Sequence, residues 1–381
     1  MQFTDLQSQY GASRSLINGR IQGVLDHGQY VMGPEVAELE RRLAIYTGAR
    51  HCITVSSGTM ALAIALMAVG IGPGDDVITA PFAAIATTEA ILLAGASPVF
   101  IDIERATCTL DPRLIEPAIT PATRAIIPVS LYGQPSDMDA INSVAARHGL
   151  AVIENGAQSF GATYHGRQSG NLSLIGCTSF FPSHPLGCYG DGGALLTNDD
   201  TLAAAIRDIR MHGRARRHAH AHVRLGPGAR MDTLQCAIVL AKLDRFDWEI
   251  KQRRRVAAAY DDMLQPYLRL IGCRSDRSSV HAQYPVLVED RERVRGVLAQ
   301  AGIPTVVHYP VPVHRQPAYA HLAPGVSCPV TDAMAASVLS LPIGPYLAPS
   351  DARHVALTLL DATGARHRRN VEPVEPVELP G

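Results

Sequence analysis

The stretch HCITVSSGTMALAIALMAVGIGPGDDVITAPFAAIATTEAILLAGASPVFID, residues 51–102, decides the fold class. Three short apolar runs, 52–55, 76–79 and 98–102, alternate with two longer helical stretches, 60–69 and 86–93. Glycine and proline punctuate the joins, which marks separate elements and not one buried helix. The alternation continues outward through strand runs at 125–129, 151–154, 177–181 and 193–197, with a helix over 137–148. Strands alternating with helices build an α/β domain around a mostly parallel sheet, here of seven strands. Ligands of such sheets bind beyond the carboxyl ends of the strands, so the loops after these runs are expected to carry the chemistry.

On either side the pattern changes. Residues 13–70 read as helical, apart from the 52–55 run and a turn at 28–34. Over 35–46, Val36, Leu39, Leu43 and Tyr46 recur at three- and four-residue spacing, an amphipathic helix. After Arg230 one long helix is expected over 232–264. A strand over 283–288, a helix over 291–301 and a strand over 305–308 follow. The expected organisation is a large α/β domain with an N-terminal helical segment over 1–240, and a long helix with a small α+β domain over 241–363. Residues 364–381, basic and then Pro/Glu-rich, are expected to form a loose tail.

The 381 residues, 47% hydrophobic and 18% charged, suffice for a sizeable core. Thirty-four basic against 35 acidic residues argue against a general nucleic-acid or membrane-surface binder. Seven scattered cysteines do not make a disulfide framework, and the polar opening residues are not a signal peptide. The expectation is a cytoplasmic protein.

Three segments carry candidate chemistry. Ser56-Ser57-Gly58-Thr59 lies between a strand run and a helix, where backbone amides take either an anion or a structural cap. AVIENGAQSFGATY, 151–164, ends a strand in a polar loop holding Asn155 and Gln158. TSFFPSHPLGCYGDGGA, 178–194, runs from a strand holding Ser179 through a turn with Ser183 and His184 into a glycine cluster. RARRHAHAH, 214–222, offers alternating histidines at 218, 220 and 222 without a matching Cys or acid. A cationic loop that attracts phosphate or carboxylate is expected there, and no metal site.

These and further motifs resemble the DegT/DnrJ/EryC1/StrS family of nucleotide-sugar aminotransferases. The resemblance runs from FTDL at 3–6 through Gly33-Pro34, Ser57-Gly58-Thr59, 131–139, 161–164, 189–194 and RMDTLQ at 230–235. It continues to His308–Pro310, His314 and Pro345-Tyr346-Leu347. It implies an aspartate-aminotransferase-like, fold-type-I architecture that uses pyridoxal phosphate (PLP), most like the branch that aminates a 3-keto UDP-N-acetylglucosaminuronic acid. It also implies a homodimer with shared active sites. By the same resemblance, Gly58, Thr59, Gln158, Ser179 and Ser183 surround the cofactor's phosphate and ring. Arg230, His308, Tyr309 and His314 lie toward the sugar nucleotide.

Four departures stand against that pattern. The resemblance puts His184 where the family has its Schiff-base lysine, and Asn155 where it has the aspartate facing the pyridine nitrogen. Alanine in Pro81-Phe82-Ala83-Ala84 replaces the stacking aromatic, and Gly228 replaces a phosphate-binding asparagine. The only lysines, Lys242 and Lys251, fall on the helix that the family layout puts away from the cofactor. The resulting expectation is an enzyme that takes no cofactor and acts without PLP on a sugar nucleotide or related intermediate, by elimination, isomerisation or cyclisation. His184 would be its acid/base, helped by Asn155 and Gln158. Gly58, Thr59, Ser179 and Ser183 would remain as a vestigial anion pocket. Two alternatives are a sugar 3-dehydratase or aminotransferase dependent on PLP or pyridoxamine phosphate (PMP), and a non-catalytic pseudoenzyme binding a sugar nucleotide or an intact aminotransferase partner.

Overall fold

The structure is a computed structural model and describes residues 1–214 and 221–365. The expected tail therefore lies, but for its first two residues, outside the described residues. Helix α1, Leu6–His27, is capped by the Asp5 carboxylate, which accepts from Ser8 N at 2.9 Å. Helix α2, Pro34–Thr47, starts on a proline, buries Val36, Leu39 and Leu43, and closes on Gly48 in the left-handed region.

The α/β core follows in chain order: β1 (His51–Val55), α3 (Gly58–Ala68), β2 (Asp76–Thr79), α4 (Ala86–Leu93), β3 (Ser97–Phe100), β4 (Thr123–Ile127), α5 (Met138–His148) and β5 (Ala151–Asn155). A short hairpin, β6 (Thr163–Tyr164) and β7 (Arg167–Gln168), precedes β8 (Ile175–Ser179), β9 (Gly193–Thr197) and α6 (Asp200–Arg210). All seven expected runs enter one sheet, ordered β1-β9-β8-β5-β4-β2-β3. Strand β9 runs antiparallel to both neighbours, and the other pairings are parallel. On one face α3 buries every residue from Ala61 to Leu66 against Ile53, Val77, Ile127 and Leu195. On the other, Ile78, Ile126 and Val152 pack with Ile141 and Val144 of α5. The Glu154 carboxylate, fully buried in the middle sheet, accepts from Ser169 Oγ and from the Gly170 and Leu172 amides. Those hydrogen bonds hold the turn after β7 against β5.

The expected single helix over 232–264 is two helices, α7 (Thr233–Leu243) and α8 (Phe246–Leu264). Residues 236–243 of α7 are buried without interruption among α1, α2 and the sheet layer, whereas α8 buries one stripe. The chain turns between them at Asp244, whose carboxylate pairs with Arg42 at 2.6 Å, so that α8 can reach a second core. That second core surrounds the antiparallel pair β10 (Tyr284–Leu287) and β11 (Val338–Leu341), with α9 (Arg291–Gln300) and α11 (Pro349–Thr363), whereas α10 (Pro329–Ser337) buries Met334 and Ala335 in the core that α5 shares with the sheet. The expected strand over 305–308 does not form. Val306 makes a single bridge to Ser340, on the edge of β11 that β10 leaves free. Among the described residues no helix is long and apolar enough to cross a membrane.

One buried ion pair ties the sheet edge to its helices. Arg210 Nη1 lies 2.6 Å from Glu40 Oε1 and 2.9 Å from the Thr54 carbonyl, and Thr54 N and Oγ1 both donate to the same Glu40 oxygen. Removing one partner strands the other charge in the interior. Glu40→Leu is expected to destabilise the fold by about 3 kcal/mol, read as a lower urea midpoint with an unchanged slope.

Candidate active site

Strands β1, β9 and β8 bring three chain segments to one point. Val55 of β1 stands opposite Gly193 of β9, and Gly193 stands opposite Ser179 of β8. Into this corner α3 inserts its first residue, Gly58, with the Ser57 hydroxyl capping Met60 N at 3.2 Å. A methyl group on Gly58 would lie 2.5 Å from Ser179 Cβ, and one on Gly193 would lie 2.6 Å from the Ser57 carbonyl oxygen. Glycine at both positions is what lets the helix start approach the strand ends. The first-turn amides, those of Gly58 and Thr59 among them, have no preceding helical carbonyl and carry the positive end of the dipole. The arrangement is an anion cradle with Ser179 beside it. Ser179 Oγ already accepts from Phe181 N at 3.2 Å. Part-exposed Ser183 sits on the following turn. Arg230 comes near through the backbone, because its neighbour Ala229 accepts from Ser56 N at 3.0 Å.

His184 closes the turn after β8. Its Nδ1 is 3.2 Å from the Ser179 carbonyl oxygen, and it lines a cavity of about 90 Å³ with Phe3, Gln9, Arg253 and Tyr346. Burial lowers its pKa to about 4, so the imidazole is neutral at physiological pH. Since a carbonyl only accepts, Nδ1 carries the proton and Nε2 keeps its lone pair. Asn155, at the end of β5, donates to Thr87 Oγ1 at 3.0 Å and accepts from Ala157 N at 3.2 Å.

A second polar group gathers around Gln158. Its carbonyl accepts from Tyr132 N at 2.8 Å and its amide donates to the Tyr309 hydroxyl at 3.1 Å. The Tyr132 hydroxyl donates to the His308 carbonyl, while His308 Nδ1 meets Ser340 Oγ at 3.0 Å. Gln158 thus meets Tyr309 directly and His308 through Tyr132, which was not among the candidate residues. Its signal was the LYG segment following β4, where Tyr132 adopts φ 60°. His314 does not join them by any described contact. It is 6% exposed, packs on Phe100 and lies 3.9 Å from Asp332, with neither ring nitrogen hydrogen-bonded.

Lys242 lies against the segment that follows His184. It is 3% exposed, donates to the Gly187 carbonyl and sits 4.8 Å from the Tyr189 ring, behind the turn that bears His184. Among the described residues no His/Cys/Asp/Glu cluster is placed to hold a metal; residues 215–220 of the Arg/His loop, with His218 and His220, lie outside them.

An open α/β sheet with a helix start at its strand carboxyl ends places an anion cradle where such folds bind their ligands. The chain belongs to the DegT/DnrJ/EryC1/StrS aminotransferase family, whose profile matches residues 12–360. It is 52% identical over 91% of its length, and 96% of the relative's, to the UDP-2-acetamido-2-deoxy-3-oxo-D-glucuronate aminotransferase of Pseudomonas aeruginosa. Among solved structures it resembles S. venezuelae DesV in complex with a ketimine intermediate (TM-score 0.90, 40% identity, 97% of this chain and 99% of that one). It also resembles NtdA of Bacillus subtilis with bound cofactor PMP (TM-score 0.87, 32% identity, 93% and 82%). The fold is that of the fold-type-I aminotransferases.

These likenesses overturn the expectation of a PLP-independent lyase or isomerase that takes no cofactor, and that of a non-catalytic pseudoenzyme. Relatives across the whole chain are sugar aminotransferases, and one neighbour holds PMP. The physical reason lies in the cradle, which is intact around Gly58, Gly193 and Ser179. The departures at 184, 155 and 83–84 lie outside it, whereas Gly228 removes the phosphate-binding side chain that the resemblance implies there. Tested against a pyridoxal-class cofactor, the side chains divide: helix start and Ser179 suit its phosphate, but His184 offers no primary amine to its aldehyde and Asn155 no charge to its ring.

Burial sets a pH signature for the site. His184, His281 and His308 all have pKa values lowered from 6.5 to about 4. Between those values the unfolded chain binds protons that the native one does not, so stability falls as pH is lowered from 6.5 toward 4. Urea midpoints at pH 7.5 and 5.0 are expected to show that fall, and His281→Gln, away from the cradle, is expected to reduce it.

Proposed function

We propose that this protein is a nucleotide-sugar enzyme of the aminotransferase class, acting with a pyridoxal-class cofactor on a UDP-linked 3-keto sugar acid. The carrying observation is the 52% identity over 91% of the chain to the UDP-2-acetamido-2-deoxy-3-oxo-D-glucuronate aminotransferase of P. aeruginosa. The cradle of Gly58, Thr59 and Ser179 would take the cofactor's phosphate, a dianion that the helix dipole favours. Arg230 would offer a positive charge to the anionic sugar nucleotide. Tyr309 and His308, held by Gln158, Tyr132 and Ser340, would line its sugar side. Neutral His184, with Nε2 free to accept, would hold or move a proton beside the cradle. The homodimer that the resemblance implies would complete the site across the interface.

A second reading, favoured by His184, is PMP-dependent 3-dehydration of a nucleotide-linked 4-keto sugar, which, unlike a 3-keto sugar, has a C3 hydroxyl to lose. The two readings are separated by their substrates and products. Purified protein incubated with PMP and the UDP-linked 3-keto uronic sugar is expected to yield an amino sugar by mass spectrometry; under the second reading that sugar is unchanged, and a nucleotide-linked 4-keto sugar yields its 3-deoxy derivative. If both substrates stay unchanged in the presence of bound PMP, both readings are overturned. Gly58→Ala, whose methyl would force the helix start off Ser179, is expected to weaken PMP binding at least about tenfold by calorimetry, near 1.4 kcal/mol.

A further inference from the structure

We propose that this protein holds its cofactor by non-covalent contacts alone, with no lysine linkage, and so exchanges it freely with solution. The inference rests on the pyridoxal-class reading above. A covalent link to the aldehyde of PLP requires a primary amine, which among side chains only lysine supplies. The whole sequence holds two lysines, Lys242 and Lys251.

Neither is placed to serve. Lys242 is nine-tenths and more buried, and its Nζ is committed to the Gly187 carbonyl, on the inner side of the turn whose other residue, His184, lines the cavity. Withdrawing that amine would unpin the turn and leave a buried carbonyl without its partner. Lys251 is exposed on α8. The α8 residue that reaches the cavity is Arg253, two positions on, and residues two apart on a helix face different sides. At the cavity itself stands His184, a ring nitrogen donor and acceptor with no amine, held by the Ser179 carbonyl. Asn155 adds no charge, its amide being shared between Thr87 and the Ala157 backbone. What remains to hold the cofactor is the cradle: helix amides, the bare Gly58 and Ser179. Retention then depends on the phosphate, and the amine form, which needs no lysine, binds as readily as the aldehyde.

The experiment uses the intact protein with PLP and PMP separately. Each sample is reduced with borohydride, denatured and weighed by mass spectrometry, and a parallel sample is dialysed. The expected result is saturable binding of both forms, complete loss on dialysis, and no added pyridoxyl mass after reduction. H184K is expected to gain one pyridoxyl group per chain, mapped by peptide analysis to position 184, together with a violet absorption band. A stoichiometric adduct on the unaltered chain, at Lys242, Lys251 or the amino terminus, overturns the inference while leaving the cofactor reading intact. Failure of the unaltered chain to bind either form overturns the cofactor reading and the inference with it. The reduction of the unaltered chain decides the matter even where H184K fails to fold.

Discussion

The close approach of the start of α3 to the ends of β8 and β9 is the contact on which the rest of the site depends. It is possible only because residues 58 and 193 carry no side chain, so that Gly58 packs on Ser179 and Gly193 on the Ser57 carbonyl. Once that contact is made, the helix axis points its positive end at the carboxyl edge of the sheet, and the α3 core from Ala61 to Leu66 locks it there. The turn holding His184 and the Ala229–Arg230 segment then hang from the same corner, through Ser179 O and Ser56 N respectively.

A second constraint joins the two cores. Gln158 spends both ends of its amide, one on the Tyr132 backbone and one on the Tyr309 hydroxyl. Tyr132 in turn reaches the His308 carbonyl, and His308 reaches Ser340 on β11. Phe82 packs edge-on against both tyrosines, so an apolar ring seals a chain of satisfied polar groups. Such a network is rigid because every member is paired, which fixes the loops that carry it.

The chemistry at the reacting end contrasts with this. The anion cradle is a matter of backbone geometry, which side-chain replacement at 184 or 155 does not erase. Covalent chemistry depends on single atoms: an amine or an imidazole at 184, a carboxylate or an amide at 155. That difference explains how a chain can match sugar aminotransferases over its whole length while offering an aldehyde nothing to bond with. Reading those substitutions as loss of the cofactor gave too much weight to the atoms that react and too little to the backbone that grips.

Much of the α/β core was legible because strand and helix lengths, punctuated by glycine and proline, leave few alternatives, and Asp76–Thr79, Ala86–Leu93 and Gly193–Thr197 appear at the expected bounds. The candidate residues Gly58, Gln158, His184 and Tyr309 were legible too, through motif and resemblance. The break at Asp244 was not, since neither Asp nor Arg interrupts a helix by propensity; it occurs because α7 and α8 belong to different cores. Nor could sequence reveal that Tyr132 joins Gln158 to His308, or that Lys242 lies beneath the His184 turn, 55 positions away along the chain. Periodicity and residue chemistry act locally and so determined the elements, the anion-binding turn and the absence of an amine at 184. Which distant side chains share a hydrogen bond, and which face of a helix meets a cavity, depends on packing between elements, and only the tertiary structure decided it.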